Sequence, residues 1–416
     1  MPLLSGALYA SGQFPGRTAD QGTPPDRTRM SSLCGGIKHD GERGDMARDR
    51  ESYEAILQAV GVCVAARIPF LLWGDPGAGK TAVIESASGT GWHVETLICS
   101  HYEPSDFAGL PVVNGDRVTL APPGWAVRVS EEPKPSIVFF DEWTTASPAV
   151  QAAALRPLTH AQVGVLQLPN RVAFGAAANP ADVAASGWEL AAPTANRFVH
   201  LEWSLPLDVY TESIVTGDWP VLPVPERPAD LEGLASAQRS LVAGFLRTRG
   251  GQLSSIPKEA ASRGRAFPTP RTWDYAAQLL AIAEHAGAGE EVQRLLVYGA
   301  VGAPVGHEFL TWRSALDLPD PEELLADPMG DGLKGLRPDR VHVALQGVLA
   351  AYTSDPTADR WTAAMGVCIG AAQHASLDSA VPVVRALLRP GRRPSGAELP
   401  PGLTVFAPAL QLAGLL

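Results

Sequence analysis

The chain has 416 residues, of which 45% are hydrophobic and 19% charged, with a formal net charge of −11. That length exceeds what one compact core accommodates and predicts two or three domains, while the acidic balance disfavours broad electrostatic binding to nucleic acid or anionic lipid. Four cysteines, Cys34, Cys63, Cys99 and Cys368, stand without C-x-x-C pairing, which predicts reduced thiols in a cytoplasmic protein rather than a disulfide framework or a zinc site.

Residues 1 to about 48 are rich in Gly, Pro, Ser and mixed charge and are expected to be disordered. A helical pattern begins in "MARDRESYEAI", so Met30 or Met46 are alternative translation starts to Met1. "ESYEAILQAVGVCVAARI" reads as an amphipathic helix. The apolar run that includes it is interrupted by Arg67 and too short to span a bilayer, and no apolar signal segment opens the chain. The apolar run Ile68 to Trp73 follows as a buried strand, and "GDPGAGKT" after it fills the pattern G-x-x-x-x-G-K-[ST] with Gly74, Gly79, Lys80 and Thr81. A strand feeding a Gly-rich turn and then a helix ("TAVIESAS") is the context a phosphate-binding loop needs. Glycines let successive N–H groups of Gly74, Asp75, Pro76, Gly77, Ala78, Gly79, Lys80, Thr81 and Ala82 converge on phosphate oxygens (Pro76 alone lacking one), and the helix N-terminus adds its positive end.

"HVETLICS" reads as a second strand. "PSIVFFDEW" reads as a third, wholly apolar and ending in Asp141 and Glu142. An acid at a strand tip beside a phosphate loop can complete a Mg²⁺ shell with the Thr81 hydroxyl, and its neighbour can deprotonate an attacking water. Two solvated acids at a strand end are the plainer alternative. "RVAFGAAANP" is a fourth strand whose tip, Asn179, can contact the γ-phosphate or the water, although Asn-Pro is also a common turn starter. "RFVHLEWSL" is a fifth. Just before it stands Arg197, whose delocalised fork suits a phosphoryl-transfer transition state and which can project into a neighbour's site or simply sit on the surface. Strands apolar on both faces alternating with helices such as "SPAVQAAALRPLTHA" predict an α/β fold, a parallel sheet covered on both sides. Two β-hairpins interrupt it, one with a turn at Asn114-Gly115, the other around Pro169-Asn170. Trp125 is a candidate pore-loop residue, with packing the commoner role. After residue 220 the chain is first Pro-rich, then helical to its end. Arg271, opening a helix in "FPTPRTWDYA", can reach the nucleotide from that later domain.

The phosphate loop, "IVFFDE", "AAANP", "ANRF" and "TPRTW", in this order, resemble the AAA+ ATPases of the MoxR group over roughly residues 50 to 310. The resemblance implies a P-loop NTPase core over 49–220 and an all-α lid over 221–310; the helical region over 311–416 lies beyond it, matches no motif and is a candidate for partner docking. It implies that Gly74–Thr81 is Walker A, Asp141 with Glu142 Walker B, Asn179 sensor 1, Arg197 the arginine finger and Arg271 sensor 2. It further implies ATP and Mg²⁺ as cofactors, a hexameric ring, a partner protein with a von Willebrand factor A domain, and chaperone-like remodelling of other proteins. Alternatives are a motor subunit in nucleic-acid processing, a nucleotide-responsive scaffold, and GTP in place of ATP.

Overall fold

The computed structural model describes residues 39–180, 187–389 and 391–411. The disorder expected for residues 1–38, together with Met30 and Cys34, lies outside the described residues. From His39 onward that expectation is corrected, because the first helix, α1, spans His39–Ala66. Its first turns are charged in sequence, and among the described side chains the buried apolar face begins at Tyr53.

Five parallel strands form the central sheet: β1 (Phe70–Trp73), β2 (His93–Ile98), β5 (Ser136–Asp141), β8 (Val172–Ala178) and β9 (Val199–Glu202), in the order β2-β5-β8-β1-β9. Each strand sends alternate side chains to opposite faces. Phe70, Leu72, Ile137, Phe139, Ala177 and Leu201 join α1 in one core, while Leu71, Trp73, Val138, Phe140, Phe174 and Ala178 join the other. Both faces are thus buried, as apolar parallel strands require. In register, Trp73 lies opposite Ala178 and Ile98 opposite Asp141, so the carboxyl ends of β1, β5 and β8 meet along one edge of the sheet.

The helices of this part are α2 (Lys80–Glu85), α3 (Ser105–Ala108), α4 (Gly124–Glu131), α5 (Pro148–His160), α6 (Ala192–Ala195) and α7 (Leu207–Thr216). Between α3 and α4 stands the hairpin of β3 (Leu110–Asn114) and β4 (Arg117–Ala121). Asn114 pairs with Arg117, so Gly115-Asp116 makes the connection, one residue later than expected. The second hairpin is displaced further. Its strands are β6 (Gln162–Val163) and β7 (Leu166–Gln167), and Gly164, at φ 57°, makes the turn. Pro169 instead accepts a bond from the Val172 N–H at 3.1 Å, which turns the chain into the central strand β8. The two hairpins are joined where the Val165 N–H donates to the Leu120 carbonyl at 3.1 Å. Trp125 is buried, its Nε1 donating to the Asp106 carbonyl at 2.9 Å, so it is a packing residue.

The remainder is helical. α8 (Leu231–Thr248), α10 (Pro270–His285), α11 (Glu290–Val301) and α12 (Ala303–Ser314) share a core around Phe245, Trp273 and Phe309, with short α9 (Ala260–Arg263) leading into α10. α13 (Pro321–Ala326), α14 (Pro338–Ser354), α15 (Ala358–His374), α16 (Leu377–Leu387) and α17 (Ala407–Gln411) enclose a separate core around Leu345, Trp361 and Val384. Among the described residues no helix is long and apolar enough to cross a membrane. Cys63, Cys99 and Cys368 are free and buried, and burial pushes the Cys368 thiol up to about 12.

Candidate nucleotide site

The loop between β1 and α2 owes its shape to its glycines. A Cβ on Gly74 would stand 2.4 Å from the Trp203 carbonyl oxygen, so only glycine permits that approach. Gly79, immediately before α2, has φ 81°, a left-handed conformation that costs other residues about 1 kcal/mol or more. With α2 so started, its first residues lie at the tip of β1, facing the ends of β5 and β8.

Pro76 to Ala82, Asp141, Glu142, Ala177, Ala178 and Asn179 line one cavity of about 350 Å³. Lys80 is buried, and its Nζ donates to the carbonyls of Gly74 at 2.7 Å and Asp75 at 2.9 Å and to Asn179 Oδ1 at 2.9 Å. Burial lowers its pKa, against the opposing pull of Asp141 and Asp75. Thr81 Oγ1 donates to Asp141 Oδ2 at 2.5 Å. Phosphate-loop lysine, hydroxyl, strand-tip acids and amide therefore converge as their sequence positions predict, though Gly74 and Asp75 hold Lys80 rather than line the cavity.

Glu142 has φ 54°, a strained conformation for a residue with a side chain. The strain is held by the Glu142 N–H, which donates to Asp141 Oδ1, and by the Trp143 N–H, which donates to the Ala177 carbonyl, both at 2.8 Å. Its carboxylate accepts from Ser100 Oγ at 2.7 Å. Ser100, just beyond β2, is a residue that sequence reasoning missed. No local motif marks it, and the contact spans two neighbouring strand ends.

A second cavity of about 420 Å³ borders the same loop, lined by Tyr53, Gly77 to Gly79, Ala82, Val83, Ser86, Trp203, Leu205, Tyr210, Trp219 and Pro220. Trp203 Nε1 donates to the Ala78 carbonyl at 2.8 Å. The Tyr53 and Trp203 rings pack edge to face at 5.3 Å, and those of Tyr210 and Trp219 at 6.0 Å. This aromatic pocket was also missed, because its walls come from residues far apart in the chain.

Arg197 and Arg271 line neither cavity. They are neighbours. Burial lowers the Arg197 pKa, and the nearby charge of Arg271 lowers it further. Thr269, which caps α10, donates to Asn196 Oδ1 at 2.9 Å, and Asn196 Nδ2 donates to the Phe267 carbonyl at 3.3 Å, which ties the start of α10 to the corner before β9. The capped start of α10 thus places Arg271 beside Arg197 and outside the lining of both cavities. Among the described residues the buried Arg197 Nε has no hydrogen-bond partner.

His200 supports the same corner. Trp73 Nε1 donates to its Nδ1 at 2.9 Å, so the opposite nitrogen, Nε2, carries the proton and donates to the Ala195 carbonyl at 2.9 Å. Burial pushes its pKa from 6.5 down to about 4. A folded pKa below the unfolded one means stability that is complete above pH 6.5 and lost as pH falls towards 4, by at most about 3 kcal/mol. Guanidinium unfolding across that window is expected to show a steeper loss for the parent chain than for His200→Gln, which keeps an acceptor and a donor. Equal slopes would contradict the assignment.

The sheet order, the loop and the acids define a P-loop nucleotide-binding domain. Residues 69–198 match the AAA domain family, dynein-related subfamily. No curated protein matches the chain. The solved structures similar to it include one from Cytophaga hutchinsonii ATCC 33406, described provisionally as an ATPase. That structure is 14% identical, with 65% of this chain and 97% of that chain covered and a TM-score of 0.39.

Proposed function

We propose that the protein is a MoxR-like ATPase that hydrolyses ATP in a ring, a hexamer by the resemblance, and uses the cycle to remodel a partner protein in the cytoplasm. The observation that carries this proposal is the convergence of Lys80, Thr81, Asp141, Glu142 and Asn179 on one cavity beside an aromatic pocket. In this proposal the loop N–H groups and Lys80 hold the phosphates, and the base enters between Tyr53, Trp203 and Tyr210. A pocket of aromatic and aliphatic walls favours adenine, which leaves fewer polar groups unpaired than guanine.

The Thr81 hydroxyl and Asp141 carboxylate, 2.5 Å apart, are the hard oxygen donors that suit Mg²⁺, which takes one or two protein oxygens together with phosphates and water. Bound there, Mg²⁺ would neutralise charge on the phosphate oxygens. Glu142 takes the proton of the attacking water, Asn179 orients that water, and Ser100 fixes the carboxylate. Among the described residues no arginine lines the chain's own cavity, so in this proposal Arg197, with Arg271 beside it, serves the site of a neighbouring copy. The separate core of the C-terminal helices suits a docking domain, and a protein with a von Willebrand factor A domain is the proposed partner.

The test is steady-state ATP hydrolysis per chain over a hundredfold dilution series. Specific activity is expected to climb with protein concentration. Flat activity, in a protein that sizes as a monomer with ATP, would contradict a site completed between copies.

A further inference from the structure

The C-terminal helices hold a cavity of about 590 Å³, larger than either cavity of the nucleotide domain, and the hydrolysis scheme makes no use of it. Its floor is one face of α15, where Asp359, Thr362, Gly366, Ile369 and Gln373 follow one another at alternating steps of three and four. At roughly 1.5 Å per residue, that floor is about 21 Å long. Pro328 and Met329, just after α13, and Pro400 and Gly402, before α17, complete the lining. Glycine permits both approaches to α15. A Cβ on Gly366 would stand 2.9 Å from Pro328 Cβ, and one on Gly402 would stand 2.8 Å from Ile369 Cγ2. The result is a groove that is mostly apolar and open to solvent, with Met329 54% exposed.

We infer that this groove docks an amphipathic helix of a partner protein, apolar on the face that enters and basic at its edges. The inference rests on the reading of the C-terminal helices as a docking domain. The helical form of the occupant follows from the lining. Side chains of α15 and two prolines, which have no N–H, offer an extended segment few backbone partners, whereas a helix satisfies its own backbone. An apolar helix face laid along a groove of this kind is a recurrent mode of recognition. The basic character follows from charge. Asp359 lines the groove, and Asp327 and Glu398, one and two residues from the lining prolines, are exposed. Among the described residues none of these three acids is ion-paired. The nearest lysine and arginines along the chain are engaged elsewhere. Lys334 pairs with Asp331 at 3.4 Å, Arg360 donates to both oxygens of Glu322 at 2.9 and 2.7 Å, and Arg393 Nε donates to the Ala397 carbonyl at 3.0 Å. The rim therefore presents uncompensated negative charge to whatever enters.

The experiment is fluorescence anisotropy on the full chain with two labelled model peptides of about 14 residues, the length of the groove. Both carry leucines at the same helical spacing, one with lysines between them and the other with glutamates. The Leu/Lys peptide is expected to bind, less tightly as salt is raised, and the Leu/Glu peptide to bind at least about tenfold more weakly. Thr362→Trp, at an exposed position of the floor, should fill the groove and weaken the Leu/Lys peptide by about tenfold or more. Asp359→Asn, also at an exposed position, should narrow the gap between the two peptides. ATP turnover at the parental level shows that each variant is folded. Leu/Lys binding that neither variant changes would overturn the groove and leave the docking reading standing. Equal affinity for the two peptides would overturn the basic character of the partner. Self-association of the parent chain that Thr362→Trp abolishes would make the occupant a second copy instead. No binding of either peptide to the parent chain would overturn the inference together with the docking reading on which it rests.

Discussion

Glu142→Gln is expected to bind ATP with near-parental affinity and to hydrolyse it about 10²- to 10⁴-fold more slowly, the range that a positioned general base contributes. The substitution is close to isosteric. It keeps an acceptor for Ser100 Oγ, 2.7 Å away in the parent chain, and leaves the backbone bonds that hold the residue at φ 54°. What it removes is the basic carboxylate. Asp141 and Thr81, the proposed Mg²⁺ donors, remain in contact, so ground-state binding survives. The variant should therefore accumulate as an ATP-bound assembly, visible as an ATP-stabilised high-mass species in sizing. Parental turnover in this variant would exclude Glu142 as the base.

The second large effect is expected at Arg197. If its guanidinium completes a neighbour's site, Arg197→Ala loses about 10³- to 10⁵-fold in turnover, the value attached to an arginine delivered in trans. Nucleotide affinity should be kept, because the residue lines neither cavity of its own chain. A structural role makes a different prediction. Arg197 Nη1 donates to the Pro193 carbonyl, and loss of that bond alone would lower stability with little effect on turnover per folded chain. Arg197→Lys separates the two further, because lysine keeps the charge but not the planar fork. Thermal unfolding measured beside turnover distinguishes a destabilised corner from a missing catalytic charge.

What was legible in the sequence was local. The loop from Gly74 to Thr81 and the acids at Asp141-Glu142 are contiguous, and each is explained by its own strand–turn context, so they could be placed before any coordinates were known. The first hairpin was legible to within one residue for the same reason, because turn residues stand between β-branched runs, although Asn114 pairs with Arg117 and Gly115-Asp116 makes the turn. The second was misplaced because Pro169-Asn170 is a stronger turn signal than Gly164. The true hairpin has only two residues per strand, too few for alternation to show.

The features missed were those made by chain closure. Ser100 meets Glu142 only because β2 and β5 are adjacent in register. The aromatic pocket unites Tyr53 with Trp203, Tyr210 and Trp219 across the domain. The pairing of Arg197 with Arg271 follows from the Asn196–Thr269 bond, which joins residues 73 apart in sequence. A motif search could name both arginines and had no means of showing that they stand together.

The central claim is that one copy's arginine completes another copy's site. It is tested most directly by mixing Glu142→Gln and Arg197→Ala chains, each nearly inactive alone. An Arg197→Ala chain keeps its own Glu142 and, beside a Glu142→Gln neighbour, receives an intact Arg197. The account predicts that hydrolysis reappears on mixing and passes through a maximum as the ratio is varied. Mixtures with no more activity than the sum of the separate variants, despite co-assembly in sizing, would contradict it.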